Sequence, residues 1–478
     1  MSDTISVRPR TTPREDAALA GRIARSAAAL QGQVRDADDV LAWLERRERE
    51  IHFAVDRIKL DELDGWSFQE DTGNLAHRSG RFFTVEGLRV AVEHEDGAHV
   101  PVDAWQQPVI CQLEVGILGI LAREIDGVLH FLMQAKMEPG NSNLLQLSPT
   151  VQATRSNYTK VHQSSAVRYL EYLRDLSGAR VLSDVLQSEH GSWFFRKRNR
   201  NMIVEVDGPV EEHADFRWLT LGQIARLLHR DNVVNMDARS VLAGLPGGPA
   251  PRALFSDAEV LSWLADARSQ SPVRADRVPL ASVPGWVRDE AEGTVRHEEG
   301  RYFRVVGVSV EAGSREVSHW TQPILEPCGQ GLAAFLTREI DGVTHVLASA
   351  KAEGGFREAE LGPTVQVTLG NYAHLPADRQ PPFLDLVRDP DPARVRYSAL
   401  HDEEGGRFLN AVSRYLLVEA DESQAPLAPP PGFRWVSHAQ LAALALHSHY
   451  VTVQARTLLT CLNAASAGSG WGGAPLTP

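Results

Sequence analysis

The segment VICQLEVGILGILAREIDGVLHFLMQAK, Val109–Lys136, contains two long apolar runs joined by the dipeptide Asp126-Gly127. Asp-Gly is preferred in two-residue turns between antiparallel strands, because both turn residues need a positive φ angle. The segment therefore predicts a β-hairpin within an antiparallel or mixed central sheet. Segments with helical spacing begin at Val167 and Thr220 and are expected to cover the sheet. Together these signals predict an α+β fold.

Much of the chain is present twice. The helical pattern VLAWL at Val40 returns as VLSWL at Val260, a shift of 220 residues, and Ser256 with Glu259 forms a capping box before the second copy. Further matched pairs are Gly80/Gly300, Trp105/Trp320, Arg123/Arg338, Thr150/Thr364, Tyr158/Tyr372 and Phe216/Phe433. Repeats of this length are whole domains, so the sequence predicts a tandem duplication.

The expected boundaries follow from composition. The Pro- and Gly-rich run LPGGPAPRA, Leu245–Ala253, suits a connection between domains. The first residues are rich in Ala, Arg, Thr and Pro without clear periodicity, so we expect an arm or a frayed helix there. The predicted division is an N-terminal arm over 1–35, a first repeat over 36–245, a linker over 246–255, a second repeat over 256–465 and a flexible tail over 466–478.

The overall composition limits the classes of function. With 478 residues, 43% hydrophobic and 23% charged, the chain has the makeup of a globular protein. A formal charge of -13 argues against nucleic-acid binding, and no window approaches the roughly 18 apolar residues of a membrane span. Cys111, Cys328 and Cys461 form neither a disulfide pattern nor a zinc motif. A cytoplasmic location is therefore expected.

The polar segment Gln134–His162 follows the hairpin and reads QAKMEPGNSNLLQLSPTVQATRSNYTKVH, and a diverged copy spans Ser349–Leu375. Polar loops on a rigid scaffold often carry function. Its groups suit a polyhydroxylated anionic ligand: two cations for a diphosphate, hydroxyls and amides for a sugar or base, and an indole for stacking. The candidates are Arg155, Lys160, Thr150, Gln152, Ser156, Asn157, Trp105 and Gln107.

Several of these residues also have a purely structural interpretation. Trp105 and Gln107 would then seal a sheet edge, and Thr150 and Gln152 would alternate along a strand. The candidate acids and bases are Lys136, Glu138, Tyr158 and His162. Alone, a glutamate is usually a solvated carboxylate and a histidine an ordinary loop residue. A dinucleotide fingerprint, a phosphate loop and a zinc-binding His-Glu-x-x-His motif are all missing, so neither a cofactor nor a metal is expected.

The two copies have diverged unevenly. Arg155, Ser156 and Lys160 become Leu369, Gly370 and His374 in the second copy. Six residues keep their identity there, as Lys351, Glu353, Thr364, Gln366, Asn371 and Tyr372. Loss of two cations should weaken diphosphate binding. We therefore expect the working site in the first repeat, and in the second a ligand-binding or scaffolding remnant that would include Trp320.

The motifs QPVICQLEVGILGIL, FLMQAKMEPGN and QLSPTVQATRSNYTKVH resemble those of NDP-hexose 2,3-dehydratases. The resemblance covers both halves of the chain. It implies tandem Nudix-like α/β/α domains with mixed sheets, a homodimer, and removal of the C2 hydroxyl from a dTDP-4-keto-6-deoxyhexose. An NAD(P)H-dependent ketoreductase is then expected to consume the product. The hypothesis assigns Tyr158 or Glu138 as the base, Lys136 as the enolate or acid partner, and Arg155 with Lys160 as diphosphate anchors.

Two alternatives stay open from the sequence. A nucleotide-sugar pyrophosphohydrolase would need Mg²⁺, and the chain lacks the glutamate-rich box that holds this metal in Nudix hydrolases; FREAELG at Phe356 matches only a fragment of it. A dTDP-sugar-binding helper protein for a glycosyltransferase would bind the ligand without transforming it.

Overall fold

The computed structural model describes residues 13–92, 104–154, 167–247, 252–270, 273–313 and 318–466. Each repeat contributes one large seven-stranded sheet, and two smaller five-stranded sheets lie between the repeats. Helices cover both faces of the large sheets, and separate clusters of buried apolar side chains fill the two faces. The predicted α+β fold with two repeats is confirmed; the likeness to Nudix domains stays a prediction.

The first large sheet is built around the predicted hairpin. Its two strands pair antiparallel from Ile125 opposite Val128, with φ angles of 51° at Asp126 and 77° at Gly127. The hairpin prediction is therefore confirmed, and the parallel pairing of β6 with β11 makes the sheet mixed. Its strands are β6 (Gly116–Ile125), β7 (Val128–Met137), β8 (Leu145–Ser148), β9 (Val151–Ala153), β10 (Arg180–Ser188), β11 (Arg198–Glu205) and β12 (Phe216–Leu219).

The second large sheet repeats this topology. Its strands are β18 (Gly331–Ile340), β19 (Val343–Lys351), β20 (Glu360–Gly362), β21 (Val365–Thr368), β22 (Val395–Asp402), β23 (Val412–Glu419) and β24 (Phe433–Ser437). The turn at Asp341-Gly342 has positive φ angles of 51° and 74°, within a few degrees of those of its counterpart. β18 again pairs parallel with β23, as β6 does with β11.

The helices of the described ranges follow in chain order. They are α1 (Pro13–Ala28), α2 (Ala37–Glu50), α3 (Leu170–Arg174), α4 (Leu221–Leu228), α5 (Met236–Leu242), α6 (Asp257–Ser269), α7 (Leu384–Arg388), α8 (His438–Ala445) and α9 (Val453–Ala465). The capping box of Ser256 and Glu259 is confirmed at the start of α6. α3 is only five residues long, because Tyr169 before it has a φ angle of 60°, outside the helical region.

The small sheets are assembled by strand exchange between the repeats. β1 (Phe53–Ile58) of the first repeat pairs antiparallel with β16 (Phe303–Ala312) of the second, and β13 (Val273–Val278) pairs in the same way with β4 (Thr84–Val92). The remaining strands are β2 (Trp66–Phe68), β3 (Leu75–His77), β5 (Ala104–Cys111), β14 (Trp286–Asp289), β15 (Thr294–His297) and β17 (His319–Pro327). Each repeat therefore completes a sheet of the other.

The structure differs from the arm expected over residues 1–35. From Pro13 to Ala28 the chain is helical, and Leu19 and Ile23 are buried in the core of the first repeat. Arg22 also donates to Glu124 at 2.7 Å and pairs with Glu205. The described buried face of this helix has only two large apolar side chains, those of Leu19 and Ile23, so sequence periodicity gave little sign of it.

Two buried arginines fasten the repeats to each other. Arg239 donates to the carbonyl oxygen of Asp402 at 2.7 Å, and Arg456, its counterpart, donates to the carbonyl oxygen of Ser188 at 2.7 Å. Both side chains are fully buried. Because each arginine reaches into the opposite repeat, the interface has an internal twofold character.

Within the described ranges, no helix has both the length and the apolar character needed to cross a bilayer.

Candidate functional site

The polar segment after the hairpin places a lysine beside a glutamate. Lys136 lies near the end of β7, and Glu138 follows directly after that strand. The Lys136 Nζ atom is 3.2 Å from Glu138 Oε1, and both side chains are largely buried. Buried charges need such pairing, because isolating either of them from water is costly. Two of the predicted catalytic residues therefore lie together.

Gln152 connects this pair to further polar groups. Its side-chain oxygen Oε1 accepts hydrogen bonds from Lys136 Nζ and from the Ser148 hydroxyl. Its amide nitrogen lies 3.5 Å from Glu138 Oε1 and donates to Asp237 Oδ2 on α5. The Gln152 amide is therefore fixed between Lys136, Glu138 and Asp237.

Thr150 joins two strands of the first large sheet. Its hydroxyl accepts from the amide of Leu121 at 3.0 Å and donates to the carbonyl oxygen of Leu132. Thr364 bridges Leu336 and Leu347 in the same way. The hydroxyl proton is thus used within the sheet, and substrate binding by these threonines stays a prediction.

A turn of the second repeat closes over the first-repeat site. A Cβ atom on Gly405 would lie 3.0 Å from Glu138 Cβ, and one on Gly406 would lie 3.9 Å from Glu138 Oε1. The same turn carries Glu404 and Arg407, and Arg407 donates to Gln112 Oε1 of the first repeat at 3.2 Å. The surroundings of Glu138 are therefore composed of both repeats.

Burial and crowding shift the protonation of these carboxyls. Burial, followed by the charges of Glu404 and Glu138, raises the pKa of Asp237 to about 7. Burial and the charge of Glu189 raise the pKa of Glu404 to about 7, although Arg407 opposes this rise. Burial also lowers the pKa of Arg407. Perturbed groups of this kind cluster at functional sites, and here the site holds more carboxyls than it can ionise together.

A neighbouring histidine pairs with a carboxylate across the repeats. His190 Nε2 lies 2.8 Å from Glu403 Oε2, and the phenol of Tyr415 donates to the same carboxylate at 3.0 Å. Burial lowers the pKa of His190, but the hydrogen bond and charge of Glu403 outweigh it, so that the pKa is raised overall. The contact therefore favours the imidazolium form of His190 and the carboxylate form of Glu403, whose pKa is lowered by the hydrogen bond from His190 despite its burial.

The second repeat surrounds a cavity of about 1510 Å³. Glu353 Oε1 accepts two hydrogen bonds. Gln366 donates to it at 2.9 Å, and the Ser192 hydroxyl donates to it at 3.1 Å. Five of the six residues predicted for a second-repeat ligand site line this cavity together with Glu353: Lys351, Thr364, Gln366, Asn371 and Tyr372. Its size suits a ligand larger than a simple sugar.

The positions of the two tryptophans differ from the sequence prediction, because each is associated with the site of the opposite repeat. Trp105 and Gln107 were grouped with the first-repeat residues, yet they line the second-repeat cavity, and Gln107 donates to the carbonyl oxygen of Ser192 at 2.6 Å. Conversely Gln322, which accepts from Trp320 at 3.0 Å, donates to Gly406 in the turn over Glu138. Strand exchange explains this arrangement, because β5 and β17 belong to the small sheets between the repeats.

The other first-repeat candidates lie outside the described residues. They are Arg155, Ser156, Asn157, Tyr158, Lys160 and His162. Their predicted roles as diphosphate anchors, substrate contacts and base stay predictions. Within the described part of the chain, no three His, Cys, Asp or Glu side chains are grouped so as to hold a metal ion.

A family profile described as NDP-hexose 2,3-dehydratase matches the chain twice, over residues 37–245 and 257–462. The chain belongs to the NDP-hexose 2,3-dehydratase family. Members of this family include a protein of Amycolatopsis orientalis that is 57% identical over 95% of this chain and 96% of its own length. Another, from Saccharopolyspora spinosa, is 47% identical over 88% of this chain and 90% of its own. Both are named dTDP-4-dehydro-6-deoxy-alpha-D-glucopyranose 2,3-dehydratase.

A third relative with this name, from Streptomyces violaceoruber, is 46% identical over 90% of this chain and 98% of its own length. The sequence did not predict Asp237, Glu404, Arg407 or His190 as members of this site. A signal was available: EEGGRF at Glu403 answers EHGSWF at Glu189, at the same spacing as the matched threonines. Charged residues beside paired glycines mark a tight turn, but only the fold shows that each turn closes over the opposite repeat.

Proposed function

We propose that this chain dehydrates dTDP-4-keto-6-deoxy-D-glucose across C2 and C3, as the names of its three relatives state for them. The observation that carries the proposal is that the sequence identity to these three relatives covers both repeats. The buried Lys136–Glu138 pair adds a base and a cation at one place. The enzyme is then a carbon–oxygen lyase of deoxysugar formation.

The chemistry has two stages. The C4 ketone acidifies the C3 proton, a base removes it, and a donor stabilises the enolate oxygen. The enolate electrons then form the C2–C3 double bond as the C2–O bond breaks, and an acid protonates the departing hydroxide to water. The resulting enol takes up a proton at C2 and becomes a 3,4-diketo-2,6-dideoxy sugar. Because the net change is the loss of water, no redox cofactor is needed.

The roles of the residues follow from this scheme. Glu138 or Tyr158 acts as the base, and Lys136 stabilises the enolate or donates the proton. Arg155 and Lys160 hold the diphosphate. The 3.2 Å pairing supports a common role for Lys136 and Glu138, whereas the other assignments rest on the motif. The first repeat is proposed as the working half, and the second as a ligand-binding or scaffolding remnant.

The proposed setting includes partners. A 3,4-diketone is labile, so an NAD(P)H-dependent ketoreductase is expected to act on it directly. The family resemblance supports a homodimer in the cytoplasm. Neither nucleic acid nor a membrane is a proposed partner, since the chain carries a formal charge of -13.

One incubation tests the proposal. The full chain is mixed with dTDP-4-keto-6-deoxyglucose, EDTA, NADPH and a trapping ketoreductase, and the sugar is analysed by mass spectrometry and NMR. A 2-deoxy sugar nucleotide is the expected product. Release of a sugar phosphate only when Mg²⁺ replaces EDTA would instead identify a pyrophosphohydrolase. Recovery of bound but unchanged ligand would identify a binding protein.

A further inference from the structure

One buried helix position carries a carboxyl group in the first repeat and a neutral amide in the second. Asp237 is the second residue of α5, and its counterpart on α9 is Gln454. The residues that follow are identical or similar in the two helices, and Arg239 matches Arg456. The change from a carboxyl to a neutral amide therefore occurs within an otherwise maintained element.

The side chains around this position also differ between the two repeats. Ser148, which donates to Gln152, is replaced by Gly362 in the second repeat. Asn235 donates to the Ser148 hydroxyl at 3.0 Å, and its counterpart is Thr452. In the first repeat, Asn235 and Ser148 thus form a chain of hydrogen bonds that ends on Gln152. The second repeat has neither residue at the matching position.

Asp237 is oriented toward the predicted site. Its Oδ2 atom accepts from the Gln152 amide, whereas the buried Oδ1 atom has no hydrogen-bond partner among the described residues. In the second repeat, Gln454 lines the cavity beside Lys351 and Gln366. The corresponding position in the first repeat is thus occupied by a carboxyl next to Lys136 and Glu138.

We propose that Asp237 is a positioning residue of the first-repeat site, which accepts from the Gln152 amide and so holds Gln152 in place between Lys136 and Glu138. This inference rests on the dehydratase activity proposed above. Asp237 acts through Gln152 and Lys136, and it deepens the assignment of the first repeat as the working half.

The charges around Asp237 favour its neutral form. Glu138 and Lys136 face it from the end of β7, Glu404 from the turn of the second repeat, and Glu189 from the turn after β10. Three of these four groups are carboxyls. Burial and this negative surrounding raise the pKa of Asp237 to about 7, so the proton is held in acidic solution and is lost as pH rises through neutrality.

The consequence for catalysis has a definite sign. Above a pH of about 7, Asp237 loses its proton and becomes a second carboxylate competing for Lys136. The Lys136 ammonium then stabilises a developing enolate less well, because part of its charge is already neutralised. The turnover number should therefore fall as pH rises through this value, by about tenfold if the coupling equals one pKa unit.

The test compares pH profiles of the full chain. Turnover is measured with the trapping ketoreductase in excess from about pH 5.5 to 8.5, a range that brackets the ionisation. Asp237→Asn keeps an acceptor for Gln152 and stays neutral. We expect it to retain at least about one third of wild-type turnover on the acidic side, and to lose the fall above pH 7. Asp237→Glu, which restores a carboxyl one methylene farther from the main chain and so in altered surroundings, should restore a pH-dependent fall with a shifted inflection.

A matched control makes the same chemical change elsewhere. Asp421→Asn alters an exposed aspartate that pairs with Arg394, and its profile should equal that of the wild type. A fall above pH 7 in Asp237→Asn that parallels the wild type would overturn the proposal, as would a uniform loss at every pH. If Asp237→Asn does not fold, an unshifted inflection in Asp237→Glu overturns it. Absence of dehydration by the wild type would instead refute the proposed function.

Discussion

The amide of Gly140 donates to the carbonyl oxygen of Gly405 at 2.7 Å, and so joins the two repeats beside Glu138. Gly355 makes the equivalent bond to Gly191 at 2.7 Å. A Cβ atom on Gly140 would lie 1.8 Å from the carbonyl oxygen of Phe408, and one on Gly355 would lie 1.8 Å from that of Phe194. The two backbones therefore approach too closely for any side chain, at both symmetry-related crossings.

Gly140→Ala should destabilise the protein by about 3 kcal/mol or more, because rigid backbone must move to admit the methyl group. Turnover should fall as well, since Glu138 lies in the same turn. Denaturant unfolding followed by fluorescence measures the first effect. Gly21→Ala is the control: Gly21 lies in α1 with nothing near its Cβ position, so it should be neutral or stabilise by about 0.5–1 kcal/mol. Equal stability of both variants would contradict the prediction.

Glu138→Gln should reduce the turnover number about 10²- to 10⁴-fold, the usual contribution of a general base. The amide keeps the shape of the side chain but cannot take a proton. Glu353→Gln makes the same change in the second repeat and should reduce turnover by less than about tenfold. Initial rates with the trapping reductase compare the two. A larger loss in Glu353→Gln would place the working site in the second repeat.

Separated repeats should not fold independently. Cutting the chain between Gly247 and Arg252 leaves each half without the strand that completes its small sheet, β13 for β4 and β1 for β16. Each half alone would expose an unpaired strand edge and should aggregate. Co-expressed halves should form a stable one-to-one complex, detected by copurification through a tag on one half. A monomeric half with cooperative thermal unfolding would show that strand exchange is dispensable.

Glu360→Gln should alter how stability depends on pH. Burial raises the pKa of Glu360 to about 7, so the folded state keeps a proton that the unfolded state loses above its ordinary value of 4.5. Stability of the wild type therefore decreases as pH rises between these values. The amide has no proton to lose, so this pH dependence disappears in the variant. Between pH 5 and pH 8 the stability of Glu360→Gln should therefore rise by roughly 2 kcal/mol relative to that of the wild type.

Urea unfolding at both pH values provides the measurement. Glu358→Gln, an exposed glutamate two residues away, should leave the pH dependence as in the wild type. If Glu360→Gln follows the wild type at both pH values, the buried carboxyl does not retain its proton.

Local patterns predicted much of the fold. Asp126-Gly127 fixes its hairpin because the turn needs positive φ angles that these residues tolerate. Ser256 and Glu259 cap α6 because their spacing lets each side chain reach the other's backbone amide. Such features depend on neighbours within a few residues. α1 escaped prediction, since its burial depends on the distant strand β7 and on Glu205.

The candidate site was only partly predictable. Lys136, Glu138 and Gln152 could be identified because they belong to one polar segment that is present twice. Asp237 and Glu404 could not, since they lie about 100 and 270 residues from Glu138 along the chain. Trp105 was assigned to the wrong set of neighbours for the same reason, because strand exchange carries its sheet to the opposite repeat.

The sequence alone determined that the chain is an α+β tandem duplication and that its motifs match those of NDP-hexose 2,3-dehydratases. The first conclusion rests on periodicity and repetition along the chain, and the second on the resemblance of its motifs. The tertiary structure decided that each repeat completes the other's small sheet and closes over the other's site. It also decided which carboxyls have a raised pKa, because burial and through-space charge set a pKa, and neither quantity exists before the chain folds.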